Sequence, residues 1–270
     1  IREAGRAILL AENAIERRRL FARYVAATPE PVCSSFDPKD SETWVLRLLA
    51  QVKVMPASEV GSLLSNTYGG YVALLRDATR EGAIKKRARD VLREMLALGL
   101  VDGEGANVRL SVLGEAVGRS SLKFGSAMGL VRSIRDLPDV PLSVLDLAVL
   151  LQVLPEMDGA YTPIARDARD LEWTRRVAAR LRPEVARALR ADTGDRAILE
   201  ARAKRVSILL AWIEGRPMEA IEAEHTMNPF KALGPGDVRA IADRTRFHFK
   251  SAYEICLVAE PAKAPEADAV

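Results

Sequence analysis

The segment L-V-D-G-E-G-A-N-V-R-L, Leu100 to Leu110, changes period in a chain whose pattern is otherwise helical. Two short apolar runs, Leu100-Val101 and Val108-Arg109-Leu110, flank Asp102-Gly103-Glu104-Gly105. Apolar runs around a glycine-rich turn predict a β-hairpin, because glycine supplies the positive φ that tight turns demand. Directly after it, Ser111 is placed to cap a helix that starts near Val112, since its hydroxyl can accept from the free N–H groups of a first turn. Before it, Gly99 is a natural stop for a long helix with Ile84, Ala88, Val91, Leu92, Met95 and Leu96 at helical spacing. Farther back, Ser41 reads as the N-cap of a helix carrying Trp44, Val45, Leu48, Leu49 and Val52 on one stripe. Pro56 opens a short second helix through Val60, Leu63 and Leu64, and Thr67-Tyr68-Gly69-Gly70 reads as a turn before Tyr71 to Leu75.

Helices followed by a small hairpin form the winged-helix pattern, assigned to residues 40–120. Downstream, residues 121–258 carry only helical signals and predict an all-α bundle. Its helices are Phe124 to Leu137, Ser143 to Leu154, Asp170 to Arg190, Arg196 to Glu214, Pro217 to Glu224, and a last one capped by Asp237 and running to about Val258. Residues 259–270 are rich in Ala and Pro and read as a disordered tail. At the other end, G-R-A-I-L-L-A (Gly5 to Ala11) reads as a strand. Residues 13–39 then read as a linker: an amphipathic helix over Asn13 to Ala26 with a basic face, stopped by Thr28-Pro29-Glu30-Pro31, and a loop from Ser34 to Asp40.

Composition agrees with a mainly α chain. Half of it is apolar (49%), aromatics are scarce (5%), and Val/Ile/Thr alternation is nearly absent, which argues against an all-β sandwich. Lys+Arg exceeds Asp+Glu only by 40 to 37, so the net charge of +3 does not point to nucleic acid. The cysteines, Cys33 and Cys256, form no C-x-x-C pair, and His225 and His248 have no ligand spacing, so a structural zinc site is not expected. Two free thiols fit a reducing, cytoplasmic setting. The longest apolar stretch, Leu142 to Leu154, is interrupted by Asp146 and Gln152 and is too short to span a bilayer; no secretory signal opens the chain. The first residue is Ile1 rather than Met, which suggests a piece of a longer protein.

Catalytic motifs are missing. There is no G-x-x-x-x-G-K-[ST], no acidic motif to hold Mg²⁺ beside a strand, no nucleophile elbow and no H-E-x-x-H. Most carboxylates alternate with arginines at helical spacing, as on solvated helix faces. Binding features are richer. Lys85, Lys86, Arg87, Arg89 and Arg93 concentrate charge on the long helix of the winged-helix segment, where it can lie along phosphates or simply face water. Arg175, Arg176, Arg180, Arg182, Arg187 and Arg190 form a second cluster, diluted by Glu172, Glu184 and Asp192 and better read as surface. In the last helix, Arg239, Asp243, Arg246 and Lys250 share a face, and Phe247 lies at its edge. Cations beside an aromatic ring can hold a sugar-phosphate backbone while the ring stacks on a base; the competing reading buries Phe247 and Phe249 in the core.

Taken in order, several segments resemble the C-terminal half of superfamily 2 DExH-box helicases, nearest in type to the archaeal repair helicases and the helicase part of polymerase theta. They are Gly5 to Ala11, P-E-P-V-C-S-S at Pro29 to Ser35, N-T-Y-G-G at Asn66 to Gly70, L-S-V-L-G at Leu110 to Gly114, L-L-A-W-I-E-G at Leu209 to Gly215, and G-P-G-D-V-R at Gly234 to Arg239. The resemblance runs to about Val258. It implies that residues 1–12 are the last strand of a RecA-like motor domain, followed by the winged helix and a helical "ratchet" bundle. It also implies ATP-driven 3′–5′ translocation by a parent DNA-repair helicase, with ATP and Mg²⁺ held by motor domains upstream of Ile1 and none in this chain. On the ratchet helix an aromatic and an Arg act against the bases; Phe247 stands where a Trp is usual, with Arg239 as its basic partner. Helical spacing adds Asp243, Arg246 and Lys250 to the expected nucleic-acid contacts, and the charge on the long helix of the winged-helix segment adds Lys85, Lys86 and Arg89. The family's helix-loop-helix lid and the large arch of its RNA-exosome cousins are missing, which favours single-stranded or forked DNA over RNA. Two other readings stand beside it: a winged-helix DNA-binding regulator with a helical dimerisation or effector bundle, and a purely helical interaction protein.

Overall fold

The structure, a computed structural model, describes residues 8–28, 32, 34, 40–164, 171–190 and 193–266. It is mainly α-helical with one small three-stranded antiparallel sheet. Residues 1–35 form one unit and residues 36–270 another.

In the first unit, α1 (Ala14–Leu20) continues into a π-helical turn at Phe21–Val25. Asn13 caps α1, its side chain accepting from the backbone N–H groups of Ile15 and Glu16. No residue of α1 is buried. The strand expected over Gly5 to Ala11 lies partly outside the described residues, and Ile8 to Ala11 form none. A lone extended run has no ladder to join, because the described sheet is built by later residues.

The second unit begins with α2 (Ser41–Val52), one residue earlier than a Ser41 cap implies; Asp40 precedes it and accepts from the Thr43 hydroxyl at 2.5 Å. Lys53, at φ 71, ends α2 and turns the chain into β1 (Val54–Pro56). This strand was not expected, and it is the third member of the sheet. The predicted hairpin is β2 (Val101–Glu104) and β3 (Asn107–Leu110), and β1 pairs with its far strand, giving the order β1-β3-β2. Met55 faces Val108 across the ladder and both are buried.

Between β1 and β2 lie α3 (Val60–Ser65), α4 (Tyr68–Arg76) and α5 (Arg80–Ala97). The turn expected at Tyr68-Gly69-Gly70 is instead the first turn of α4, with Thr67 as its cap. Gly70 is there for proximity: a Cβ would stand 2.2 Å from the Leu64 carbonyl oxygen. Gly99, at φ 69, ends α5 as expected. Ser111 caps α6 (Val112–Arg119), accepting from the Gly114 N–H at 3.0 Å.

The remaining helices are α7 (Phe124–Arg135), α8 (Val144–Leu151), α9 (Glu172–Ala178), α10 (Pro183–Ala188), α11 (Arg196–Ile213), α12 (Met218–His225) and α13 (Pro235–Ala259). The single helix expected over Asp170 to Arg190 is two, because Pro183 lacks an N–H and can only begin α10; Asp170 itself is outside the described residues. Helix α8 stops at Leu151, not Leu154. The last helix starts at Pro235, so Asp237 is its third residue rather than its cap, and its carboxylate accepts from the Gly234 N–H at 2.9 Å. The tail expected to be disordered packs as far as it is described: the Lys263 ammonium is buried and donates to the carbonyls of Ile134, Arg135 and Leu137 at 3.2, 3.0 and 2.6 Å. These carbonyls lie at and just past the end of α7, where i+4 helical partners run out, and their bonds to the ammonium offset the disorder that Ala and Pro composition suggested.

One apolar cluster joins the sheet-bearing half to the bundle. It includes Val45, Leu49, Val91, Met95 and Val108 with Leu130, Ile134, Leu150, Ile255 and Cys256. Helix α13 is the long element that packs across this junction, against α6, α7, α8 and α11.

Candidate nucleic-acid interface

The inner face of α13 is built from Val238, Ile241, Thr245, His248, Ala252, Ile255 and Cys256, which recur at helical spacing and are buried. Polar anchors fix its rotation. Gln152 donates to the Thr245 hydroxyl at 3.0 Å, within the core. The Ser121 hydroxyl pairs with His248 Nδ1 at 2.8 Å, and the Ser121 N–H donates to Ser251 Oγ at 3.0 Å. Arg244 turns inward to the Glu156 carbonyl at 3.4 Å. With the inner face held in this way, the outer one is set.

Every residue of the predicted stripe is exposed: Arg239, Asp243, Arg246, Phe247 and Lys250. Phe247 is 68% exposed, whereas Phe249, two residues on, packs against the core. The reading that buried both rings is therefore half right. The Phe247 ring touches only its neighbour's imidazole edge-on, at 5.0 Å between centroids, among the aromatic contacts of the described residues. Arg246 lies 3.4 Å from Asp243, and Lys250 3.9 Å from Glu254. Pairs this exposed are worth at most about 1 kcal/mol, so a phosphate can displace the carboxylate at little cost. Arg239 forms no ion pair among the described residues. The face thus offers three cations and a bare ring on a helix anchored through its inner side.

The α5 cluster is more divided. Lys85 is half-buried beside Gly61 and paired with Glu81 at 2.6 Å. Arg87 binds Glu42 and the Ser41 hydroxyl, tying α5 to α2, and Arg93 pairs with Asp90 at 3.2 Å. Lys86 and Arg89 are exposed and form no ion pair among the described residues. They remain available for phosphates, while Lys85 has a packing role first. The α5 cations and the α13 stripe sit on different elements, and no contact between them brings the two sets into one site. The second arginine cluster is surface, as read, at Arg176, paired with Glu172 at 2.5 Å, and at Arg180, paired with Glu214; Arg182 departs from it, half-buried 3.5 Å from the buried Asp146.

Buried titratable groups are structural. Burial pushes the His225 and His248 imidazoles below the ordinary histidine range, so both are neutral partners in hydrogen bonds. The Cys256 thiol is pushed up to about 11 by burial, which makes it inert as a nucleophile. Cys33 lies outside the described residues. Among the described residues no group of His, Cys, Asp and Glu can hold a metal ion, and no helix is long and apolar enough to cross a membrane.

Sequence reasoning missed the Ser121, His248 and Ser251 cluster, which joins residues 127 and 130 apart along the chain. The amphipathic phase of α13, with His248 on its apolar side, was the one signal that could have found it. No protein-family model matches the chain.

Proposed function

We propose that this chain holds single-stranded nucleic acid, DNA before RNA, along the outer face of α13. In this reading it is the winged-helix and ratchet part of an ATP-dependent 3′–5′ DExH-box helicase of the DNA-repair type, working in the cytoplasm. ATP and Mg²⁺ would be bound by RecA-like motor domains elsewhere in the parent protein, and residues 1–12 would be the end of one of them. The observation that carries the reading is Phe247: a large ring left 68% exposed on a rigid helix, with Arg246 and Lys250 beside it. Burying a phenylalanine is ordinarily favourable, so a bare one flanked by cations suits a flat, anionic ligand. The order helix, β1, two helices, α5, β2, β3, with sheet order β1-β3-β2, supports the winged-helix part of the assignment.

The division of labour follows from the two kinds of contact. Arg239, Arg246 and Lys250 attract phosphates without regard to sequence. The Phe247 ring stacks on one base at a time for about 1–3 kcal/mol, enough to resist back-slipping and weak enough to let go at each step. The motor would supply direction, and this chain the pawl.

The test is direct. Fluorescence anisotropy of labelled oligo(dT) on this chain should show binding that weakens steeply between about 50 and 200 mM salt, as phosphate contacts require, with no ATP hydrolysis. Phe247→Ala should weaken it by about tenfold, within the range of one lost stacking contact. An unchanged affinity in Phe247→Ala overturns the ratchet assignment. In the parent enzyme the same change should cut unwinding more than ATPase activity. Exposed Lys86 and Arg89 on α5 favour the regulator as a second reading; tighter binding to a specific duplex than to oligo(dT) would select it.

A further inference from the structure

We propose that a cleft between the C-terminal ends of α2 and α6 seats one backbone phosphate of the strand crossing α13; this rests on the single-strand reading above. The cleft encloses about 380 Å³ and is lined by Arg47, Ala50, Gln51, Gly118, Arg119 and Ser120. Its floor is made of small residues for a packing reason. A Cβ on Gly118 would stand 2.9 Å from the Leu46 carbonyl and 3.3 Å from Ala50 Cβ, so the two helices touch there with nothing projecting between them. Long polar side chains are left as walls, two guanidinium groups and a carboxamide, while the Ser120 hydroxyl is turned to the Val117 carbonyl.

The charge balance suits an anion. Arg47 has no carboxylate partner among the described residues; its guanidinium is over the Trp44 ring at 5.8 Å. Arg119 is paired with Glu115 at 2.5 Å, but both side chains are about half exposed, a weak and exchangeable pair. Two planar donor forks around a small basin match the oxygens of a phosphodiester.

Position supplies the link to α13. Ser120 lines the cleft, and the next residue, Ser121, is the one that grips His248 and Ser251. Phe247 touches His248 and precedes Ser251 by one helical turn, so its ring lies beside this junction. A strand stacked on Phe247 thus runs beside the junction whose preceding residue, Ser120, lines the Arg47–Arg119 cleft. The cleft fixes where the strand goes after the ring.

Salt-dependent binding of the whole chain to oligo(dT) tests this. The Arg47→Gln/Arg119→Gln double variant should lower the slope of log affinity against log salt by about 0.7, the value of one phosphate on a single strand. Glu115→Gln, which frees Arg119 without removing a cation, should bind about two- to fivefold tighter, the reach of one exposed ion pair. That gain is not something a folding defect can mimic. If Phe247→Ala weakens binding while the double variant keeps the wild-type slope and Glu115→Gln the wild-type affinity, the cleft is off the path and the single-strand reading survives alone. If the wild-type chain ignores oligo(dT) at about 50 mM salt, both fall together. Inorganic phosphate, titrated at constant ionic strength, should leave oligo(dT) affinity within about twofold, since one isolated anion lacks the neighbouring phosphates; displacement of the strand by micromolar phosphate overturns the backbone-phosphate assignment in favour of a free-anion site.

Discussion

Helices α11 and α13 are the two longest of the bundle and have similar sequences in kind, cations scattered among aliphatic residues, yet they use those cations in opposite ways. On α11, Arg202, Lys204 and Arg205 are buried together with Glu200. Arg205 reaches Asp158 at 2.7 Å and the Gln152 carbonyl at 2.9 Å, Lys204 donates to the Pro163 carbonyl at 2.5 Å, and Glu200 accepts from the first-turn N–H groups of α9. On α13, Arg239, Arg246 and Lys250 point to solvent and hold only loose local partners. The difference lies in surroundings. The middle of α11, Leu199 to Ala211, is covered on nearly all sides and its charges are the glue between loops and helix ends, whereas α13 has one covered side and one open to solvent.

The largest test of that contrast is Arg205→Ala. Truncating this fully buried side chain empties its space and drops its bonds to the half-exposed Asp158 and to the Gln152 carbonyl, which should cost about 2–5 kcal/mol in urea unfolding, while Arg246→Ala should stay within about 0.5 kcal/mol. Equal costs would break the comparison. Next comes Lys263→Ala, which takes the ammonium donor from the Ile134, Arg135 and Leu137 carbonyls at and just past the end of α7 and should cost about 1–3 kcal/mol; hydrogen exchange at the end of α7 should rise with it.

The phenylalanine pair sharpens the comparison within α13 itself. Phe247→Ala should leave stability unchanged and lose oligo(dT) affinity, worth about 1–3 kcal/mol. Phe249→Ala should lose about 2 kcal/mol of stability, part of the cost of a fully buried ring, and keep affinity per folded molecule.

A separate effect is on pH dependence. Burial holds Lys204 at about 8 against an ordinary 10.5, with Lys231 nearby adding to the shift and Glu172 opposing it. Between those values the unfolded chain binds a proton that the folded one does not, so this group makes stability rise with pH. Cys256, raised from 9.0 to about 11, acts the other way. The difference in unfolding free energy between wild type and Lys204→Met, followed from pH 8 to 10, isolates the lysine; a difference that does not change with pH would assign Lys204 no buried penalty.

Much of the local structure was legible along the chain. Ser111 and Gly99 act through contacts within a few residues and appear where expected; of the two hairpin glycines only Gly105, at φ 62, is in the turn, because Gly103 is a strand residue facing Val108. The α13 stripe was legible too, since helical period alone puts Arg239, Asp243, Arg246 and Lys250 on one face. What escaped was non-local. Strand β1 is three residues ending in proline, too short to show alternation, and exists because β3 offers it an edge. Gly69-Gly70 resembles a turn until Leu64 is packed against it. Lys263 looks like part of a polar tail until α7 presents carbonyls to it.

Period, caps and breakers sufficed for most of the helices, for the presence of the hairpin and for which side chains share a face, because those effects act over a turn or two of chain. Whether a face is covered or bare depends on segments a hundred residues away. Packing alone separated the buried cations of α11 from the open ones of α13, put Phe249 inside and Phe247 outside, and brought Ser121 to His248, since burial is a property of neighbours in space and not of the order in which they are linked.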